Sequence, residues 1–198
     1  MGLPELSFAY RAAAQSAANR SKKGVVALIL RDEGIDEGVY TVSHEADIPT
    51  ELGAENKAYI RRALTGYVST PSKILAAVLN AGEEETAAPT RGLDLLTAMD
   101  YDYVAGPLDI TEEEAAALAE AVKVRREKSY IGKAVLPGTA ADSECVVNFT
   151  GEEILSGGRT YTGAEFCSRI AGMLAGTPAE GSATGAALPE VSSVKERT

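Results

Sequence analysis

The residue type that most readily suggests catalysis occurs once in this chain, as His44. It lies in an acidic stretch beside Glu45 and Asp47, so it could act as the general base of a Ser-His-Asp site. Such a site also needs a nucleophilic serine, and no serine occurs in the G-x-S-x-G pattern of a nucleophile elbow. We therefore interpret His44 as a histidine of an exposed loop.

The stretch from Gly151 to Thr160 has only a superficial likeness to a phosphate-binding loop. The pattern G-x-x-x-x-G-K-[ST] needs glycine at its sixth position and a lysine that reaches the phosphates. Here the sixth position is Ser156, and Arg159 takes the place of the lysine. We predict instead a hairpin turn at the glycine pair 157–158.

The possible metal ligands and acid/base groups are also too scattered to form a site. Cys145 and Cys167 have no close pairing motif, and with a single histidine they lack the ligand spacing of a zinc site. Two such cysteines indicate free thiols in a reducing compartment. The glutamate runs 83–85 and 112–114 are interpreted as a solvated loop and a helix start. We therefore expect no catalytic residue, no metal and no cofactor, which favours a structural role by elimination.

The charge of the chain argues against a general nucleic-acid binder. Its 198 residues carry a net charge of −10, whereas phosphate binding depends on clustered lysine and arginine. Residues 1–23 are a local exception, with four basic residues against one acidic residue. No stretch approaches the ~20 apolar residues of a membrane helix, and no signal-peptide pattern is present. We expect a soluble protein that is made and kept inside a cell.

Strand and helix patterns alternate through the middle of the chain. Uninterrupted β-rich runs predict buried strands at 24–30 and 73–79, and shorter patterns predict strands at 39–42, 101–105, 133–136 and 145–149. Apolar residues at helical spacing predict helices around 59–67 and 92–99, and a further helix capped by Thr111. This alternation is typical of an α/β fold with a mixed, largely parallel sheet flanked by helices.

The strongest helix signal runs from Tyr161 to Pro178. Thr162 and Glu165 have the spacing of a capping box, and Gly176 is expected in the left-handed conformation after the last turn. The large apolar residues of this helix predict the face that packs on the sheet, namely Phe166, Ile170, Met173 and Leu174. An aspartate at Ile170 is therefore expected to unfold the domain.

Other residues of the same stretch are expected off that apolar face. Ser168 and Arg169 are polar and lie off the stripe of large residues. Ala171, Gly172 and Ala175 are small, so they would let another backbone approach the helix closely.

Both ends of the chain depart from the α/β pattern. Residues 3–10 alternate weakly like a strand, while residues 11–23 lack any large apolar residue that could anchor them in a core. We predict an N-terminal arm and linker over residues 1–23, a domain over 24–178, and an extended segment over 179–198 that leaves the domain. On pattern alone, a frayed N-terminus explains residues 1–23 equally well.

Three stretches of the chain resemble the tail sheath proteins of contractile phage tails, found in myophages, defective prophages and tailocins. They are LPELSFAY with its spacer and KGVVALILRD, then HEADIPTELGAENKAYIRRALTGYVSTPSKILAAVL, then VVNFTGEEILSGGRTYTGAEFCSRIAGMLAGTP. Their order and spacing match the short sheath proteins of Gram-positive prophages, and together they cover most of residues 3–178. The third stretch is the most specific.

The resemblance implies a structural subunit rather than an enzyme. Sheath subunits stack as hexameric rings around an inner tail tube, and contraction drives that tube through a cell envelope. The implied partners are other sheath subunits, the tail tube protein and the baseplate, with no nucleic acid and no membrane insertion. The implied location is the virion tail, assembled in the bacterial host cytoplasm. The label "subtilisin-like", often given to the sheath domain, can concern only topology in a chain without a triad.

The resemblance also assigns a role to the N-terminal arm. Sheath subunits are joined by N- and C-terminal arms that add strands to a sheet in a neighbour. Residues 3–10 match the N-terminal arm, which implies inter-subunit contacts by Leu3, Leu6, Phe8 and Tyr10. We expect these residues to extend away from the core or to pair with another chain.

The length of the sequence differs from that of its apparent relatives, which continue into further strands, a C-terminal domain and a C-terminal arm. We therefore expect a fragment, a natural truncation, or a structure that covers only part of a sheath subunit. Two other interpretations stay open. One is a non-catalytic scaffold or binding module of the same fold, and the other is a small α/β nucleotide-binding enzyme.

Overall fold

The computed structural model describes residues 24–82, 88–178 and 181–197. Its strands are β1 (Val25–Asp32), β2 (Gly38–Val42), β3 (Lys73–Asn80), β4 (Tyr103–Ala105), β5 (Lys133–Pro137), β6 (Val146–Phe149), β7 (Gly151–Ser156), β8 (Arg159–Tyr161) and β9 (Val191–Glu196). Its α-helices are α1 (Ala54–Leu64), α2 (Pro89–Leu95), α3 (Glu112–Glu127) and α4 (Gly163–Ala175). A short 3₁₀ helix spans Glu45–Asp47.

The main sheet has six strands in the order β2–β3–β1–β4–β5–β6. All neighbouring pairs are parallel except β2, which runs antiparallel to β3. The prediction of a mixed, largely parallel sheet with flanking helices is therefore confirmed. The short strand predicted at 39–42 is also present, and it pairs with β3 rather than with the strand that precedes it.

Helices cover both faces of this sheet. Alternate residues of β1 point to opposite sides: Val26, Leu28 and Leu30 pack in one core, while Ala27 and Ile29 pack in the other. The first core contains buried residues of α1 and α4, and the second contains buried residues of α2 and α3. Burial on both sides explains why β1 and β3 are apolar without interruption.

Helix α4 begins as predicted but buries a different face. The Thr162 hydroxyl accepts a hydrogen bond from the Glu165 amide at 3.2 Å, and the Glu165 carboxylate accepts one from the Thr162 amide at 2.8 Å. The most buried face consists of Phe166 and small residues such as Ala171, whereas Ile170 is only half-buried. The predicted stripe is therefore confirmed in part: Phe166 is buried, and Ile170 and Leu174 pack against the first core from its margin while only half-buried.

The small residues of α4 face α1 at close range. A Cβ atom added to Gly172 would lie 2.1 Å from the Ala63 carbonyl oxygen, so the predicted close approach of another backbone is confirmed. Gly176 is not left-handed as expected, since its φ is −83°. It is needed for space instead, because a Cβ there would lie 2.1 Å from the Ser69 carbonyl oxygen.

Ser168 and Arg169 were expected off the buried stripe, but both are buried. Ser168 is 0% exposed and Arg169 is 4% exposed. Arg169 is compensated by an ion pair with Glu190, whose carboxylate lies 2.5 Å from its Nε. Its Nη1 also donates to the Gly66 carbonyl at 2.6 Å. The arginine therefore joins α4 to the loop after α1 and to the C-terminal segment.

A second, smaller sheet has the order β8–β7–β9 and is antiparallel. Strands β7 and β8 form the predicted hairpin, and both turn glycines have positive φ, 58° at Gly157 and 81° at Gly158. Strand β9 was not predicted: residues 179–198 were expected to leave the domain, but Val191–Glu196 return to pair with β7. Only Val191 and Val194 in this strand are apolar, so its pattern was too weak to detect. The two boundaries between the predicted segments, after residues 23 and 178, remain a prediction.

Candidate functional site

His44 has the surroundings of a surface residue. Its side chain is 85% exposed, and its Nδ1 lies 3.6 Å from an Asp47 carboxylate oxygen. That carboxylate also accepts hydrogen bonds from the backbone amides of Ser43 and His44, at 3.0 and 2.8 Å. The Asp47 carboxylate therefore stabilises the turn into the short 3₁₀ helix.

The groove beside His44 contains hydroxyl groups that could in principle serve as nucleophiles. The Thr65 hydroxyl donates to the Arg61 carbonyl at 3.1 Å, and the Ser72 hydroxyl donates to the Gly24 carbonyl at 3.2 Å. The hydroxyls of Thr65 and Ser72, two of the hydroxyl residues that line this groove, are therefore directed at the backbone rather than at an imidazole base. This geometry differs from the nucleophile–base pair that covalent catalysis requires.

The two cysteines lie in different cores. Cys167 packs between α4 and the sheet in the first core, and Cys145 packs in the second. Burial raises the pKa of the Cys167 thiol well above its usual value, which keeps it protonated and unreactive. Within residues 24–82, 88–178 and 181–197, no group of three or more His, Cys, Asp or Glu residues could hold a metal ion.

Ligands of open α/β sheets usually bind where the strand order reverses, at the carboxyl ends of the strands. Here that position lies between β1 and β4, beside Arg31 and Asp32. Arg31 forms ion pairs with Asp109 at 3.1 Å and with Glu114 at a closer contact. Asp32 accepts hydrogen bonds at 2.8 Å from the Gly34 amide, the Gly53 amide and the Asn56 side chain. These side chains therefore fix the start of α1 and the start of α3 against the sheet.

Asp32 should make the stability of the domain depend on pH. Burial raises its pKa, but the hydrogen bonds from Asn56, Gly53 and Gly34 outweigh burial and hold the pKa below the ordinary value of 3.8. Because the folded-state pKa is the lower one, this stabilisation is complete above the unfolded pKa and is lost as the pH falls through the folded value. We expect the melting temperature to fall below about pH 4 and to fall less steeply in Asp32→Asn.

Circular dichroism melts over a pH series would check this expectation. Asp100→Asn is the matched control, because Asp100 is exposed. The wild type and Asp100→Asn should have parallel acid profiles. An Asp32→Asn profile parallel to both would show that the hydrogen bonds to this carboxylate do not govern acid stability.

The small sheet forms a distinct surface on the domain. Its inner face is anchored by Ile154, which is fully buried, while Leu155 on the opposite face is 36% exposed. Arg159 in β8 pairs with Glu55 of α1 at 3.1 Å and with Glu165 of α4 at 3.0 Å. The hairpin is therefore fixed to two helices while its outer face remains open. This hairpin occupies the stretch that superficially resembled a phosphate loop.

The residues predicted to contact neighbouring subunits, Leu3, Leu6, Phe8 and Tyr10, lie outside the described residues. Their role stays a prediction. Within the described part of the chain, no helix is long and apolar enough to cross a membrane.

Comparison with known proteins shows which proteins this chain is similar to. No protein-family profile matches it. A tail sheath protein of Clostridium phage phiCD119 is 33% identical over 199 residues, which include 98% of this chain. The chain is a homologue of tail sheath proteins. It spans 54% of the length of that relative.

Solved sheath structures share the fold of this sheath homologue. A sheath tail protein from Desulfitobacterium hafniense superposes with a TM-score of 0.69 at 13% identity, over 90% of this chain and 65% of the other. A sheath tail protein from Listeria innocua superposes with a TM-score of 0.61 at 12% identity, over 80% of this chain and 58% of the other. The helical sheath of the anti-feeding prophage in its contracted state superposes with a TM-score of 0.58 at 14% identity, over 80% of this chain and 47% of the other. By their names, these relatives are a tail sheath protein of a phage, two sheath tail proteins and a helical sheath of a prophage.

Sequence reasoning missed two features of this sheath homologue. One is Arg169, whose charge suggested a surface position, and the other is strand β9. The only available signal for Arg169 was its position within a helix of small apolar residues, where a long charged side chain is unusual. For β9 the available signal was the spacing of Val191 and Val194 in an otherwise polar segment.

Proposed function

We propose that this chain is part of a structural subunit of a contractile tail sheath. In this proposal the subunits polymerise around a tail tube by exchanging strands with neighbours, and contraction drives the tube through a cell envelope. The supporting observation is the 33% identity to a phage tail sheath protein over nearly the whole chain. Its fold-level likeness to a sheath in the contracted state agrees with this proposal.

The proposed partners are other sheath subunits, the tail tube protein and the baseplate. Assembly would take place in the cytoplasm of the bacterial host, and the product would be the sheath of the virion tail. No side chain would perform a reaction. The subunit would work through its shape and through main-chain hydrogen bonds to its neighbours.

The described domain offers strand edges suited to such exchange. Strands β2 and β6 are the outermost strands of the main sheet, and β8 and β9 are the outermost strands of the small one. An outermost strand presents main-chain N–H and C=O groups that an added strand can pair with. Strand addition derives its affinity from these groups and needs little side-chain fit. This suits subunits that must stay joined while their relative positions change.

Aspartates in place of Leu6 and Phe8 test the proposal in the complete gene product. These residues lie on one side of the predicted arm strand, where burial of a charge would be costly. We expect the substitutions Leu6→Asp and Phe8→Asp together to abolish sheath formation while the domain remains folded. Negative-stain electron microscopy would record whether striated tubes form, and circular dichroism would report on folding.

The matched control places aspartates at Ser7 and Ala9, on the opposite side of the same predicted strand. This variant has the same added charge and should assemble at least in part. Tubes formed equally well with the Leu6 and Phe8 substitutions would refute the arm assignment.

Co-sedimentation with tail-tube rings would separate a sheath subunit from a scaffold module. A melting temperature raised by a nucleotide would instead favour the enzyme interpretation.

A further inference from the structure

Strand β9 is attached to the domain differently from the strands of the main sheet. The central strands β1 and β3 contribute fully buried apolar residues to both cores. In β9 only Val191 is half-buried, the other five residues are exposed, and Val194 is 48% exposed. Apolar burial therefore contributes little to holding this strand.

Main-chain hydrogen bonds and exposed charge pairs provide most of its attachment. The Arg197 amide donates to the Thr150 carbonyl at 2.8 Å, and the Gly157 amide donates to the Glu190 carbonyl at 3.3 Å. Lys195 pairs with Glu153 at 2.7 Å, with both side chains more than 60% exposed. Exposed pairs of this kind contribute about 0–1 kcal/mol each.

The Arg169–Glu190 pair is the exception, because one partner lies inside the domain. The Arg169 side chain is 5% exposed and that of Glu190 is 33% exposed, with 2.5 Å between Nε and Oε1. Arg169 also donates to the Gly66 carbonyl. A buried arginine that loses its carboxylate partner is left with an uncompensated charge, so this contact opposes undocking more strongly than the exposed pairs do.

We propose that residues 181–197 form a releasable strap, latched by the Arg169–Glu190 pair, which undocks as a unit while the α/β domain stays folded. None of residues 181–197 is fully buried, and its larger apolar residues Leu188 and Val191 are only half-buried, so undocking costs less than unfolding of either core. It frees one edge of β7, whose main-chain groups then become available to pair with another strand. The strap is a property of this chain and does not depend on the proposed sheath role.

Native-state hydrogen exchange on the 198-residue chain, followed by NMR at increasing urea concentrations below the unfolding transition, tests the strap. The amides of Arg197 and Gly157 report on docking. The amides of Asp102 and Lys133, which donate across the main sheet to Val25 and Asp102, report on the core. We expect the strap amides to exchange at least about tenfold faster than the core amides, with a much weaker dependence on urea.

The variant Glu190→Gln tests the latch itself. We expect the ratio of the strap to the core amide-exchange rates to be roughly tenfold or more higher in this variant than in the wild type. The reason is that hydrogen bonds to charged groups are among the stronger ones. Glu153→Gln removes an exposed pair from the same strap and should change that ratio by less than about fivefold.

Two results would overturn the proposal. If strap and core amides of the wild type exchange at equal rates with equal urea dependence, the strap opens only when the domain unfolds. This wild-type comparison tests whether the strap undocks separately, even if Glu190→Gln does not fold. If Glu190→Gln accelerates both sets of amides equally, or no more than Glu153→Gln does, the Arg169–Glu190 pair is not the latch.

Discussion

Replacing Gly172 with alanine is expected to lower the free energy of unfolding by about 3 kcal/mol. The added Cβ would lie 2.1 Å from the Ala63 carbonyl oxygen and 2.8 Å from the Ala63 carbonyl carbon and Cα. These atoms belong to the backbone of α1, so relief requires the two helices to move apart. Alanine favours the helix over glycine by only about 1 kcal/mol, which is too little to compensate.

Urea unfolding followed by circular dichroism measures this effect. Gly38→Ala is the matched control, since a Cβ at Gly38 has the Tyr40 ring as its nearest neighbour, at 4.0 Å. That variant should stay within about 0.5 kcal/mol of the wild type. If Gly172→Ala were as stable as Gly38→Ala, the close packing of α1 on α4 would be wrong.

Local signals in the sequence predicted much of the fold. The capping box of α4 depends only on residues three positions apart, so Thr162 and Glu165 could be paired without knowledge of the fold. The turn at Gly157 and Gly158 needs two residues with positive φ, which glycine adopts readily. The uninterrupted apolar pattern of β1 indicated a strand covered on both faces, as observed.

The buried face of α4 could not be predicted in the same way. Periodicity identifies a stripe of large apolar residues, but the partner element decides which face is buried most deeply. Here α1 approaches α4 so closely at Gly172 that only small residues fit between the two helices. Ile170 therefore lies at the edge of the buried face, where it is half-buried. The burial of Arg169 depends on Glu190, which lies in a segment that returns to the domain only through long-range pairing.

Prediction of function from the residues alone was also limited. Residue chemistry argued against particular catalytic and metal sites, but it gave no indication of the assembly role that we propose. Strand exchange uses main-chain groups that every sequence has, so it leaves little side-chain pattern to detect. The three stretches resembling sheath proteins provided that information, and the 33% identity to a phage tail sheath protein agrees with it. The proposed contacts by Leu3, Leu6, Phe8 and Tyr10 remain a prediction.

Aspartates at two adjacent positions of α4 should have very different effects on folding. Ala171 is 0% exposed and packs in the first core, so Ala171→Asp would bury an unpaired carboxylate at a cost of several kcal/mol. That cost is comparable with the whole stability of a typical domain, about 5–15 kcal/mol. We expect Ala171→Asp to unfold the domain.

Ile170→Asp was expected from the sequence to unfold the domain, but the structure places Ile170 on the half-buried flank of α4. An aspartate there can keep its charge in solvent, so we expect a loss of only about 1–3 kcal/mol, mostly from lost apolar contact. The two variants add the same charge to the same helix and are therefore matched. Thermal melts and 1H–15N spectra would distinguish them. Equal destabilisation, or a folded Ala171→Asp beside an unfolded Ile170→Asp, would mean that the large apolar stripe faces the core after all.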